Sequence, residues 1–210
     1  MSKQFARKYD KAMAPLERKY INAWRKEIIQ HTTGKVLEIG SGTGINFPLY
    51  TKCDEVIALE PNPHMIKNSI ERKNNARVPI KIIQSKAEKL EFPDSHFDTV
   101  VITLVLCSVN DMEQVITECK RVLKPNGKLL ILEHVKMEQS FLASLQHMLT
   151  PVWKHVADGC HLNRDPELLI RNSGFDIILK KKYLSSLVVS LVARKVCTNI
   201  LDHKGNITPR

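Results

Sequence analysis

The segment Val36-Leu37-Glu38-Ile39-Gly40-Ser41-Gly42-Thr43-Gly44 constrains this chain more than any other. A short apolar run that stops on three glycines at alternate positions reads as a buried strand entering a sharp turn, where backbone N–H groups can approach a ligand closely. Around it, Val/Ile/Leu-rich runs alternate with stretches of helical period. Strands are expected at Val36–Ile39, Val56–Leu59, Ile80–Gln84, Thr99–Leu104 and Lys128–Glu133, and helices at His64–Asn74 and Asp111–Val122. A short helix is expected directly after the glycine turn, with Pro48 in its first turn. Near-continuous apolar strands between helices predict a parallel sheet covered on both faces, a doubly wound α/β fold.

The flanks follow other patterns. Residues 4–30 read as helical, because Phe5, Tyr9, Ala12, Leu16, Tyr20, Trp24 and Ile28 recur at three- and four-residue spacing, and Pro15 should kink or divide that helix. After the fifth strand, residues 138–157 read as a longer amphipathic helix and Pro166–Asn172 as another, stopped by Gly174. Asp176–Tyr183 and Leu187–Val196 read as an antiparallel hairpin closing one sheet edge, and the polar tail from Thr198 is expected to be mobile. The expected division is a helical cap (1–33), an α/β domain (34–197) and a tail (198–210).

Composition narrows the setting. Five widely spaced cysteines with no C-x-x-C pair argue against a disulfide framework or structural zinc site, and a reducing cytoplasm is expected. No leader for secretion is read at the start of the sequence. The longest apolar stretches reach about half of the ~20 residues that span a bilayer. The net charge of +10 divides into +5 over residues 1–33, −1 over 34–170 and +6 over 171–210. Two basic ends suit an anionic partner, either a membrane surface met peripherally or a nucleic acid, and equally suit simple solvation.

Glu60 closes the second strand, twenty residues after Gly40. In doubly wound folds an acid at that place accepts hydrogen bonds from the two hydroxyls of an adenosyl ribose. The dinucleotide fingerprint would need glycine at position 45, which is Ile45, and a P-loop would need Lys after its last glycine. The pattern therefore favours a smaller adenosyl ligand over a pyrophosphate.

On these motifs the chain resembles the class I S-adenosylmethionine-dependent methyltransferases over roughly residues 34–195. The resemblance implies a Rossmann-like, mostly parallel seven-stranded sheet with its last strand antiparallel, N-terminal helices, a helical lid after strand five, and S-adenosyl-L-methionine as cofactor. It implies that Glu38, Gly40, Gly42 and Gly44 form the first cofactor motif. Glu60, with Pro61, would hold the ribose, and Met65 would pack on the adenine. Ser85-Lys86-Ala87-Glu88 stands where the family often has Gly-Asp-Ala, so Ala87 and Glu88 would meet the adenine edge, and Leu104 would lie against the methionine portion. Apart from the resemblance, the N-terminal helices are read either as a cap on the cofactor, with Tyr9 or Tyr20 reaching its carboxylate, or as packing alone. Thr103–Val109, Glu133-His134-Val135 and Asp158–Arg164 are similar to a methyltransferase-like group that methylates lipophilic thiols, and more loosely to bacterial quinone and phospholipid methyltransferases. A small lipophilic acceptor is implied.

His134 and Asp158 are the catalytic candidates. His134 falls near the carboxyl end of strand five, as a general base or as a hydrogen-bonded structural histidine. Asp158, with Cys160, His161 and Arg164, lies in the expected lid, where it either serves catalysis or pairs with Arg164. Cys160 reads as a small buried hydrophobe more readily than as a nucleophile. The spacings of His134, His147, His155 and His161 fit no paired-ligand pattern, so no metal is expected. Three other readings stay open: a nucleic-acid methyltransferase, although the Asn/Asp-Pro-Pro-Tyr/Phe segment of many such enzymes is absent; a non-catalytic adenosyl-binding regulator; and an NAD-binding oxidoreductase.

Overall fold

The computed structural model describes residues 3–137, 139–156, 159–196, 199–201 and 207–209. Its centre is a seven-stranded sheet in the order β3-β2-β1-β4-β5-β7-β6, built from β1 (Lys35–Ile39), β2 (Glu55–Leu59), β3 (Ile80–Ile83), β4 (Phe97–Thr103), β5 (Leu123–His134), β6 (Phe175–Tyr183) and β7 (Val188–Lys195). β3, β2, β1, β4 and β5 run parallel, while β7 is antiparallel to both β5 and β6. This is the doubly wound sheet that the alternation of elements predicts, with the seven strands and antiparallel β7 that the resemblance implies and the terminal hairpin completing one edge.

Two-residue periodicity sorts the strand side chains onto two apolar faces. Leu37, Ile39, Ile57, Leu59, Val100, Ile102, Leu129 and Ile131 join Ile116, Cys119 and Val122 of α4 (Met112–Val122) and Ile170 of α6 (Pro166–Asn172). The alternate residues Val36, Val56, Ala58, Val101, Leu130 and Leu132 join Ile28 and Ile29 of α2 (Asn22–Ile29), with Phe47 and Tyr50. Both faces are covered, so the strands read as continuous apolar runs.

The structure departs from the sequence reading at two places in the core. No α-helix follows the glycine turn. The chain turns through Gly44 N→Ser41 O (2.8 Å), Phe47 N→Gly44 O (3.0 Å) and Leu49 N→Asn46 O (2.8 Å), ending in a single 3-10 turn at Phe47–Leu49. Pro48 has no N–H to donate to Gly44, which leaves bonds between residues three apart as the available closure. β5 also begins earlier than expected: Leu123 already pairs with Phe97, and the register shifts before Thr99 meets Lys128. The Pro125-Asn126-Gly127 turn is thus an irregularity within the ladder, with Asn126 at φ +61°.

The N-terminal helix is continuous but not uniform. α1 (Lys3–Leu16) passes into a π-helical turn at Glu17–Ile21 and then into α2. Pro15, inside α1, lacks the N–H for one intrahelical bond, and the wider turn follows at once. That turn places Glu17 beside Arg25 at 3.0 Å, both buried. Arg25 also donates to Asn46 (3.1 Å) and Thr103 (2.7 Å), and Asn46 donates to Glu38 (2.8 Å). A chain of polar contacts therefore runs from the N-terminal helices into β1 and β4. The segments Asn199–Leu201 and Ile207–Pro209 pair as an antiparallel ladder, β8 with β9.

Glu38 ends that chain. It is buried, accepting from Asn46 and from Tyr50 Oη (3.0 Å), and burial outweighs these bonds to push its carboxyl up to about 7. A carboxyl raised on folding contributes stability that is full below its unfolded value of 4.5 and is lost as pH rises through about 7. Glu38→Gln should therefore flatten the decline in unfolding free energy across this window, measured by urea titration at several pH values. Parallel pH curves for variant and parent would contradict this assignment.

Candidate active site

The glycine turn is tied to the neighbouring strand by backbone and carboxylate together. Ser41 N donates to Leu59 O at 2.9 Å, and Glu60 accepts from Gly42 N through Oε2 and from Asn62 N through Oε1, each at 2.9 Å. Burial raises the Glu60 carboxyl, and these two amides work in the opposite direction by stabilising its charge. Asn62 caps α3 (Pro63–Asn74) by accepting from His64 N at 2.9 Å, and Pro63 occupies the first turn. Gly42 has φ +56°, and a Cβ there would meet nothing within 4 Å, so its open side faces the cavity. Gly40 and Gly44 differ: added Cβ atoms would meet Val105 at 2.5 Å and the Phe47 ring at 2.6 Å.

A cavity of about 1120 Å³ opens at the carboxyl ends of β1, β2, β4 and β5, where the sheet order reverses. Gly40, Gly42, Glu60, Pro61, Met65, Ala87, Glu88, Leu104 and His134 all line it. Glu38 and Gly44 are absent from its wall and stand behind it, supporting the turn. Asp158 lies outside the described residues, and with it the expected pairing with Arg164. Tyr9 of α1 lines the cavity, and burial pushes its hydroxyl up to about 12. Tyr20 instead stacks on Trp24, which stacks on Tyr183.

α1 is fastened over this cavity. Asp10 accepts from Thr43 Oγ1 at 2.6 Å and pairs with Arg72 at 2.8 Å, while Arg72 donates to Thr43 O at 2.7 Å. At the end of β4, Leu104 has φ +57°, a left-handed conformation rare for a branched residue, held by Leu104 N→Leu132 O at 2.8 Å. Its side chain meets the cavity wall there.

The β5 end carries a second group. His134 Nε2 lies 3.0 Å from Cys160 Sγ, and the ligating atoms of Cys107, His134 and Cys160 are all within 4.8 Å of one another. Glu133 is buried and accepts from Val105 N (2.8 Å) and Leu106 N (2.7 Å). Burial opposes charge on His134, but Cys160 and Glu133 outweigh it and raise its pKa overall. The segment after α5 (Ser140–Val156) returns to this wall as the expected lid: His161 N donates to Cys107 O at 2.8 Å, and Arg164 donates to Leu106 O. Sequence reasoning missed Cys107 as a site residue, because it lies 53 positions from Cys160 and no local spacing joins them.

The fold and this site define the class: a Rossmann-like α/β protein with an adenosyl-type cradle at the sheet's switch point. Residues 37–131 match the family model described as a methyltransferase domain. Thiol S-methyltransferase TMT1B of Rattus norvegicus is 41% identical over 134 residues, 62% of this chain and 55% of that protein. The ubiquinone/menaquinone biosynthesis C-methyltransferase UbiE of Pseudomonas fluorescens is 29% identical over 211 residues, 87% of this chain and 82% of that protein. A solved S-adenosylmethionine-dependent methyltransferase from Thermotoga maritima shares the fold with TM-score 0.68 and 21% identity, covering 92% of this chain and 97% of its own. The chain thus spans little more than half the length of the thiol methyltransferase it matches.

S-adenosylmethionine is the cofactor that this domain and fold imply, and the cradle fits it. Gly42 leaves open space, the two Glu60 oxygens offer about four lone-pair sites for amides and ribose hydroxyls, and buried Ser41 Oγ has no partner among the described residues. Two substitutions test the fit. Gly42→Val should abolish stabilisation by S-adenosylmethionine in thermal unfolding, since a branched side chain would fill the open space at a left-handed φ. Glu60→Ala should weaken calorimetric affinity by ~1.5–3 kcal/mol through lost charge-assisted hydrogen bonds. Unchanged affinity in both variants would move the cofactor elsewhere.

Proposed function

We propose that this chain transfers a methyl group from S-adenosylmethionine to a small lipophilic acceptor, with a thiol as the preferred class. The observation that carries this reading is one continuous cavity with two chemically distinct ends. The Gly42/Glu60 cradle lies at β1 and β2, and the Cys107/His134/Cys160 group lies at the β4 and β5 end. Glu60 follows β2 and His134 ends β5, strands three sheet positions apart, about 14 Å at the usual strand spacing. The volume exceeds the ~300–1,000 Å³ of a typical single-ligand pocket, leaving room for donor and acceptor together.

S-adenosylmethionine, when bound, supplies a methyl group on a sulfonium. What remains for the protein is to align the acceptor and keep water out. Leu59, Leu104, Val105, Val109 and Leu162 give the cavity apolar walls, and Tyr9, Ala12 and Met13 of α1 contribute to its lining. α5 exposes Phe141 (79%) and Met148 (68%), an apolar surface on the lid suited to a lipophilic acceptor or to the surface of a membrane that carries one. No described helix is long and apolar enough to cross a membrane. The likeness to the thiol methyltransferase supports the same acceptor class.

A nucleic-acid substrate draws its support from the basic ends, yet Arg25, Lys180 and Lys181 there are engaged by Glu17, Glu167 and Glu27. The discriminating experiment is mass spectrometry after incubation with S-adenosylmethionine and a panel of alkyl and aryl thiols, quinols, phospholipid vesicles and tRNA. The expected result is methylated thiol, with turnover slowed by His134→Ala while cofactor affinity stays nearly intact. Methylated quinol, lipid or RNA without thiol product would overturn the acceptor assignment, and cofactor binding with no product would favour a regulator.

A further inference from the structure

We propose that Cys107, His134 and Cys160 form a site for a soft divalent cation, Zn²⁺ foremost, with its fourth coordination position open to the acceptor cavity. Two thiols and an imidazole from three separate parts of the chain meet here: Cys107 follows β4, His134 ends β5, and Cys160 follows α5. All three line the cavity. Their ligating atoms lie within 4.8 Å of one another, with His134 Nε2 and Cys160 Sγ at 3.0 Å. A tetrahedral zinc with bonds of about 2.0–2.3 Å sets its ligand atoms roughly 3.4–3.8 Å apart. The one pair at 3.0 Å and the 4.8 Å bound on all three lie either side of that range.

Chemistry and surroundings point the same way. Two thiolates and a neutral imidazole are a soft donor set, and they balance the charge of a divalent ion. Three protein ligands with one open position are the arrangement of catalytic zinc, whereas structural sites are closed by four. Buried His134 Nδ1 and Glu133 Oε1 have no hydrogen-bond partner among the described residues. The backbone around the ligands is fixed from two sides, by Glu133 on the amides of Val105 and Leu106 and by His161 N on Cys107 O. The histidine spacings in sequence fit no paired-ligand pattern; folding supplies the two cysteines.

The use of the open position rests on the thiol reading above. An acceptor thiol entering the site would form a sulfur–zinc bond, its S–H bond would break, and the proton would pass to solvent. The acceptor would be held as a thiolate at the β5 end of the cavity without change in the metal's oxidation state. His134 is then a ligand in place of a free base.

Zn²⁺ itself is the first probe, titrated into this chain after chelator treatment, under a phosphine reductant and in competition with a chromophoric chelator. One equivalent should bind, with affinity reduced at least 100-fold in Cys107→Ser, Cys160→Ser and His134→Ala and unchanged in Cys53→Ala. Co²⁺ should give the intense near-ultraviolet band of thiolate ligation in the parent and lose it in both serine variants. No stoichiometric binding, or equal binding by the serine variants with circular dichroism unchanged, would overturn the site. S-adenosylmethionine binding and thiol methylation, measured on stripped and zinc-loaded protein, separate the two readings. Full-rate methylation without zinc would overturn the role of the open position and leave the activity standing. A bound zinc with no thiol methylated would leave the site and overturn the acceptor.

Discussion

The carboxylate of Glu60 is the contact on which the rest of the site depends. It holds the amides of Gly42 and Asn62 at once, and so fixes the end of the β1 turn against the end of β2. Placing a carboxylate in a nearly closed position is costly, and two backbone donors offset that cost while remaining geometrically rigid. The same oxygens retain acceptor capacity toward the cavity. A structural tie and spare acceptor capacity facing the cavity therefore belong to one residue, and the open space beside Gly42 depends on Glu60 keeping the turn in place.

A second polar framework brings the N-terminal helices to this site. The Glu17–Arg25 pair and the bonds from Arg25 to Asn46 and Thr103 join the π-helical turn to β1 and β4. Asp10, Thr43 and Arg72 fasten α1 to the glycine turn itself. Buried ion pairs seldom add much net stability over well-packed apolar residues, but removing one partner leaves an uncompensated charge. Such a network specifies where the helices sit, and Tyr9, Ala12 and Met13 reach the cavity in consequence. The cover and the cradle are mechanically one unit.

Much of this was legible in the sequence, for identifiable reasons. Strands β1 to β5 are short apolar runs because both sheet faces are buried, and β6 and β7 follow from the shift in patterning after Gly174. The cradle was legible because its parts, Gly40 to Gly44 and Glu60, are held by local geometry within one strand–turn–strand unit. What escaped depends on contacts between distant segments or on small backbone choices. Pro48 was accommodated in a single 3-10 turn instead of an α-helix. Leu104 adopts a left-handed conformation that its side chain gives no reason to expect. Glu38 reads as a cofactor residue by position, yet it points into the Asn46–Tyr50 network. Cys107, His134 and Cys160 converge only because β4 and β5 are neighbours and the lid folds back over their ends.

The most direct test of the account is a crystal structure of the full chain soaked with S-adenosylhomocysteine, the demethylated form of the donor. The ribose hydroxyls should lie within hydrogen-bond distance of the Glu60 carboxylate, the adenine against Met65 and the homocysteine sulfur toward the His134 end of the cavity. A nucleoside bound in any other orientation, or no ligand density at concentrations that saturate related methyltransferases, would contradict it.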